Sequence, residues 1–296
     1  MRSGHRVVGT PGIDRRAEVA GEVRRWVSAR PHRAIPALSA LVLVLVQISY
    51  PLSAGSARDR ITVAVVVLSV ATALLHAATT RGPRWAVGFF VIVSGIGLSS
   101  EIVGTDTGMP FGAYAYATDR LGPALADVPL VVPLAWTGGL YPIWIVASLL
   151  AANSRTTRTV VFVLGAVGWD LFLDPQMVAD GQWSWAVTDA GLPGLPEIPY
   201  TNYLGWALVA AIMALSLTVL DRALPPAHDP SVAVPVAVFG WTWLGSTLAH
   251  AVFLGLGASA AWGFAALALL GIPLLLRART DLAEAGARLP AGAGKA

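Results

Sequence analysis

Two aspartates have a spacing that suits acid catalysis. Asp170 and Asp174 are four residues apart, and on a helix this spacing places both carboxyl groups on one face, about 6 Å from each other. Two carboxyl groups this close in an apolar setting cannot both ionise cheaply, so we expect one to keep its proton at neutral pH and to act as a general acid. Glu101 is the candidate for a third catalytic carboxyl group. Pro175 is expected to end the helix directly after Asp174.

The segments that must position these acids are strongly apolar. The chain has 296 residues, of which 55% are hydrophobic and 12% are charged, whereas about a quarter are charged in an ordinary soluble domain. Runs that approach the ~20 residues needed to cross a bilayer lie near 34–52, 61–79, 85–103, 128–152, 159–174, 201–220, 232–254 and 258–276. The predicted fold class is therefore all-α, a polytopic transmembrane helix bundle of about eight spans.

The basic residues indicate how the bundle is oriented. Of the 20 Lys and Arg residues, 17 fall in segments that share one side of an eight-span arrangement, and the positive-inside rule makes that side cytoplasmic. Both termini are then cytoplasmic, with a basic N-terminal segment at 1–33, the transmembrane bundle at 34–276 and a tail at 277–296. The expected location is the cell (plasma) membrane, crossed several times.

The acidic residues concentrate near two long outside loops, at 104–127 and 175–200. Nine of the 17 acidic residues lie between Glu101 and Glu197. Long loops without secondary structure are uncommon unless they are functional or disordered, and these contain Trp, Tyr, Phe and Pro rather than a disordered composition. We expect ordered caps over the outer end of the bundle.

Several polar and aromatic side chains are predicted at the same level as the acids. Six of them are candidate substrate-binding residues: Trp136, Trp169, Tyr114, Tyr116, Asn202 and Tyr203. Trp183 and Trp185 also flank this level, where aromatic rings can either line a pocket and stabilise a cation or simply mark the membrane interface. An interfacial belt is the interpretation for six further tryptophans: Trp26, Trp85, Trp144, Trp241, Trp243 and Trp262. Gln47 and His250 are predicted to make hydrogen bonds between helices.

Several kinds of chemistry lack their usual markers. The chain has no cysteine, which excludes thiol nucleophiles and Cys-ligated metal centres. The sequence contains no HExxH, GxSxG or P-loop motif, and the GxGxxA pattern at Gly255–Ala260 lacks the strand that a dinucleotide site requires. Only Arg120 lies outside near the aspartates, which disfavours a diphosphate substrate. We expect no metal, no cofactor and no nucleic-acid partner.

Four segments together resemble a known family. They are EIVGTDTGMPFGAYAY (Glu101–Tyr116), LGPALADVPLVVPLAW (Leu121–Trp136), WDLFLDPQMVADGQWSW (Trp169–Trp185) and NYLGW (Asn202–Trp206). They resemble the bacterial and archaeal carotenoid biosynthesis membrane proteins, which include bisanhydrobacterioruberin hydratase, over about residues 95–210. The resemblance implies an integral membrane hydratase, a carbon–oxygen lyase, that adds water to the terminal double bond of an acyclic carotenoid.

The residues permit a mechanism for this hydration. In our hypothesis Asp170 or Asp174 protonates the double bond, and Glu101, with Asn202 or Tyr203, positions the water and accepts its proton. The aromatic candidates face the developing tertiary cation. The partners are the carotenoid, water and the lipid bilayer, with other carotenoid-pathway enzymes as further candidates. Two alternatives stay open, a carotenoid- or isoprenoid-binding protein without catalysis and a carotenoid end-group cyclase or isomerase.

Overall fold

The computed structural model describes residues 31–188, 190–225 and 231–287, and side chains between residues 34 and 280 of these ranges. Most of the predicted N-terminal segment 1–33, together with residues 288–296 of the predicted tail, lies outside the described residues. The prediction that both termini are cytoplasmic therefore stays a prediction.

Eight helices in the described part of the chain are long and apolar enough to cross a membrane, which confirms the predicted fold class. Their bounds are α1 Pro31–Ser49, α2 Gly55–Thr80, α3 Pro83–Thr107, α4 Val131–Leu150, α5 Arg155–Ala179, α6 Tyr200–Ala223, α7 Ala233–Leu248 and α8 Gly257–Ala287. A short 3-10 turn, Tyr50–Leu52, follows α1, and a π-helical turn, Ala249–Phe253, follows α7.

Helix α4 is the central element of the bundle. Within its span 78% of the residues are buried, whereas the next most buried span, that of α6, reaches 50%. A membrane helix that is surrounded by protein has no face for lipid, and α2, α3, α5, α7 and α8 pack against it.

Short strands shape the two predicted outside loops. Strand β1 (Tyr114–Tyr116) in the first loop pairs antiparallel with β4 (Trp183–Trp185) in the second, with Tyr114 opposite Trp185 and Tyr116 opposite Trp183. Two hairpins complete the loops, β2 (Ala124–Leu125) with β3 (Val128–Pro129) and β5 (Gly191–Leu192) with β6 (Leu195–Pro199). The β1–β4 pair joins the loops directly, at the end of the bundle that we call the site end.

The prediction that Pro175 ends its helix is wrong, because α5 continues through this proline to Ala179. A proline inside a helix removes the N–H that would bond the carbonyl four residues earlier, here that of Leu171. The Ser259 hydroxyl donates to this carbonyl instead, at 2.6 Å. A neighbouring helix therefore satisfies the group that the proline leaves free.

A partly buried ionic cluster joins helices at the opposite end of the bundle. Arg81 and Arg158 contact the two oxygens of the Asp221 carboxylate at 2.5 and 3.1 Å, and the Trp85 indole N–H donates to the same carboxylate at 2.9 Å. The Arg81 guanidinium also lies over the Trp85 ring, and that of Arg158 over the Trp144 ring. Trp85 and Trp144 are therefore buried partners of this cluster, and the belt interpretation is wrong for both.

Candidate active site

A cavity of about 510 Å³ lies in the site end of the bundle. Helices α1 to α7 all contribute to its lining, and the two loops cover it through Tyr114, Tyr116, Trp183 and Trp185. The predicted site residues that line it are Glu101, Asp174, Trp136, Trp169, Tyr114, Tyr116 and Asn202. Asp170 and Tyr203 are buried beside the cavity but do not line it.

Glu101 is buried and surrounded by donors. The hydroxyls of Tyr114 and Tyr116 both donate to its Oε2 atom, the latter at 2.7 Å, and the Trp136 indole N–H donates to Oε1 at 3.1 Å. Burial raises the pKa of both tyrosines, and the nearby Glu101 charge raises it further, so the hydroxyls keep their protons and act as donors. Three donors around one carboxyl group suit its ionised form, which can only accept.

The two aspartates of α5 share one partner. The Asn202 amide nitrogen on α6 donates to Oδ2 of Asp170 at 3.0 Å and also to Oδ2 of Asp174. Because one amide nitrogen reaches an oxygen of each, the two carboxyl groups lie close together on one side of α5, as their spacing predicts. The Trp183 indole N–H donates to Asp174 Oδ1 at 3.2 Å, whereas Asp170 Oδ1 has no hydrogen-bond partner among the described residues.

A tryptophan cluster lies on the same cavity. The rings of Trp136 and Trp206 stack with centroids 3.8 Å apart and planes 9° from parallel. Trp169 meets Trp206 edge to face, at 5.7 Å and 83°. These rings offer an apolar, electron-rich wall that can hold a polyene and stabilise positive charge.

Two glycines of the quoted motifs permit the first loop to pack against the bundle. A Cβ atom on Gly104 would lie 2.6 Å from the Tyr114 hydroxyl, and one on Gly205 would lie 2.6 Å from the Phe111 ring. The Trp185 indole N–H donates to the Phe111 carbonyl at 3.0 Å and holds the loop there. Close packing at these glycines keeps the first loop near α3, where the Tyr114 and Tyr116 hydroxyls are within hydrogen-bonding distance of Glu101.

Ion pairs at the site end fix the loops over the cavity. Arg120 of the first loop binds Asp59 of α2 at 2.7 Å, and Arg58 of α2 binds Asp180 at 3.1 Å. The buried Gln182 amide donates to Asp59 at 2.8 Å and to Asp180 at 3.0 Å. Because these contacts join α2 to both loops, they hold the β1–β4 pair in place.

A second network lies behind α5, where His250 contacts the Ser259 hydroxyl at 2.8 Å and the Gln176 side-chain oxygen at 3.1 Å. The interpretation of His250 as a residue that bonds between helices fits this position. Gln47 likewise accepts from the Trp241 indole N–H, at 2.9 Å. No role was predicted for Gln176 or Trp206, although the spacing of Asn202 and Trp206 places them on one helical face.

The fold and the site together define a multi-pass membrane protein whose buried carboxyl groups face an apolar, aromatic-lined cavity. Within the described ranges no group of three or more His, Asp or Glu side chains is placed to hold a metal ion. An apolar cavity with a few convergent polar groups is the usual form of a site for an apolar small molecule.

The chain belongs to the carotenoid biosynthesis protein family, whose pattern it matches over residues 61–272. This confirms the family resemblance of the sequence motifs. Over 120 residues the chain is 34% identical to a Haloarcula japonica protein named bisanhydrobacterioruberin hydratase. The match covers 39% of the chain and 39% of that relative. No solved structure matches the chain.

Proposed function

We propose that the protein hydrates the terminal carbon–carbon double bond of an acyclic carotenoid. The observation that carries the proposal is that Asp174, backed by Asp170, lines an apolar cavity together with Glu101 and the tryptophan cluster. Membership of the carotenoid biosynthesis family and the similarity to a hydratase-named relative support the substrate class.

Asp174 is the proton donor in this mechanism. It lines the cavity, whereas Asp170 lies behind it. Two buried carboxyl groups that share the Asn202 amide keep one proton between them, because burying both charges together is costly. The π electrons of the double bond take this proton at the less substituted carbon, and a tertiary cation forms on the other carbon.

The tryptophan cluster stabilises the cation. Trp136, Trp169 and Trp206 all line the cavity, and a ring face is worth about 2 kcal/mol to a desolvated cation. The side chains around the cavity are mainly apolar, so water reaches the cation only where a polar group holds it.

Glu101 is the base that activates the water. Its three donors maintain it as an ionised acceptor. The water oxygen forms the new carbon–oxygen bond, and its surplus proton goes to Glu101. That proton returns to the aspartate pair before the next turnover, so the sum is alkene plus water giving a tertiary alcohol. Asn202 serves the aspartates rather than the water, because its amide nitrogen contacts both.

The proposal is tested by carotenoid analysis in a lycopene-producing host grown in oxygen-labelled water. We expect a tertiary alcohol that carries the labelled oxygen, and its loss in Asp174→Asn. Asp119→Asn, at an exposed acid of the first loop, is the matched control and should leave the product unchanged. A cyclised product without label would instead show an end-group cyclase, and pigment recovered unchanged from correctly inserted parent protein would show a binding protein.

A further inference from the structure

Among the described residues that line the cavity, the exposed ones lie on one side. Of the residues that line it, the exposed ones are Ile48, Leu52, Leu248 and Phe253. Ile48 is at the end of α1 and Leu52 in the 3-10 turn after it, while Leu248 and Phe253 are at the end of α7 and in its π-helical turn. We call this group the mouth.

The chemistry of the mouth matches lipid rather than water. All four side chains are apolar, and Leu52 and Leu248 are 70% and 57% exposed. The carboxyl groups and the Asn202 amide of the cavity are on other elements, since Glu101, Asp174 and Asn202 belong to α3, α5 and α6. The mouth therefore opens sideways between α1 and α7.

The contact between α1 and α7 beside the mouth is polar and specific. Gln47, next to Ile48, accepts a hydrogen bond from Trp241 on α7 at 2.9 Å, and both residues line the cavity. Trp241 lies seven residues before Leu248, which on a helix is about 10 Å deeper in the membrane. This bond ties the helices together on the inner side of the opening.

The length of the substrate requires such an opening. An extended acyclic carotenoid is about as long as the hydrocarbon core of a bilayer is thick, ~30 Å. Gln176, two residues after Asp174 on α5, contacts His250 in the π-helical turn that carries Phe253 of the mouth, so the mouth and the acid lie on neighbouring elements, about one helix spacing or ~10 Å apart. A chain whose end reaches Asp174 therefore cannot lie wholly inside the cavity.

We propose that the mouth is a lateral portal to the bilayer, through which an acyclic polyene inserts one end while the rest of its chain stays among the lipids between α1 and α7. This inference rests on the proposed function for the identity of the ligand. It adds the route of entry, and it implies that each end of a symmetric substrate is presented in a separate binding event.

The absence of cysteine in the chain makes the portal testable by single cysteines. Ile48→Cys and Leu248→Cys place a thiol at the mouth, and Leu215→Cys places one on α6 at a side chain that is 62% exposed and outside the cavity lining.

Each purified variant is reacted with a maleimide in nanodiscs, with and without lycopene, in the parent background and in Asp174→Asn. At about ten times its Kd, bound lycopene should slow labelling at the mouth about tenfold, because only the free fraction reacts. The rate at Leu215→Cys should not change.

The two proposals fail in different ways. Unchanged labelling at both mouth positions, whether or not lycopene stays with the protein, overturns the portal. Protection at Ala115→Cys, an exposed position on β1, with none at the mouth overturns it too and places entry through the loops. Protection at the mouth while the parent forms no alcohol supports the portal and overturns the hydration.

Discussion

Glu101→Gln removes one negative charge but keeps the size of the side chain. It therefore changes the hydrogen bonds of the three donors around Glu101 without opening space. In the parent, two tyrosine hydroxyls donate to Oε2 and the Trp136 N–H donates to Oε1. An amide offers one acceptor oxygen, and its NH₂ group must occupy the other place. At least one buried donor then loses its acceptor, which costs about 1–3 kcal/mol of stability.

The loss in rate should exceed the loss in stability. An amide cannot take the proton that the attacking water must release, and general base catalysis contributes about 10²- to 10⁴-fold. At 1.36 kcal/mol for each factor of ten, this corresponds to about 2.7–5.4 kcal/mol of activation free energy. The variant should therefore insert and bind carotenoid but form the alcohol at least a hundredfold more slowly.

Initial rates of alcohol formation from lycopene in membranes, measured by chromatography and normalised to protein content, check this prediction. Asp106→Asn is the matched control, because Asp106 is an exposed acid on the same helix. Tyr116→Phe removes one of the three donors to Glu101 and should slow the reaction about tenfold, the value of one hydrogen bond to a charged group. If Glu101→Gln works within threefold of the parent, Glu101 is not the base.

Three further predictions follow from other parts of the structure. Trp206→Leu, which removes the ring stacked on Trp136, should slow hydration about thirtyfold if the cluster supplies about 2 kcal/mol to the cation. An unchanged rate in single-turnover kinetics would show that Trp206 does not stabilise the cation. Asp221→Asn leaves Arg81 and Arg158 without their carboxylate, so the protein should lose about 3–5 kcal/mol of stability, and an unchanged Tm would show that the ionic cluster does not stabilise the bundle. A time course with lycopene should show the singly hydrated carotenoid before the doubly hydrated one, because each end enters separately; simultaneous appearance of both alcohols would argue for a site that holds both ends.

The sequence was sufficient for the bundle because hydropathy over about 20 residues reports directly on whether a helix can cross a membrane. The predicted segment 201–220 and helix α6 at Tyr200–Ala223 differ by only a few residues. The β1–β4 pair was not predictable in this way. Its partners, such as Tyr114 and Trp185, lie in different loops, and strands of three residues have too little periodicity to be recognised.

The acidic residues at the cavity were predictable from the sequence, but Trp206 and the geometry of the site were not. The spacing of Asp170 and Asp174 correctly placed both carboxyl groups on one face, yet spacing alone could not say which of them lines the cavity. That depends on how α5 is rotated against α6, where Asn202 contacts both aspartates. Tyr203 follows Asn202 directly and therefore points about 100° away from it around the helix, which explains why it does not line the cavity.

The continuation of α5 beyond Pro175 shows how the rest of the bundle supports the site. The proline leaves the Leu171 carbonyl without its helical donor, and Ser259 of α8 supplies one at 2.6 Å. His250 holds Ser259 from the π-helical turn and contacts Gln176 one residue after the proline. The helix that carries both aspartates is thus fixed on one side by α8 and by the turn after α7, while Asp174 lines the cavity. Because Phe253 of the mouth belongs to the same π-helical turn as His250, the segment that shapes the portal also supports the helix that carries the proposed acid.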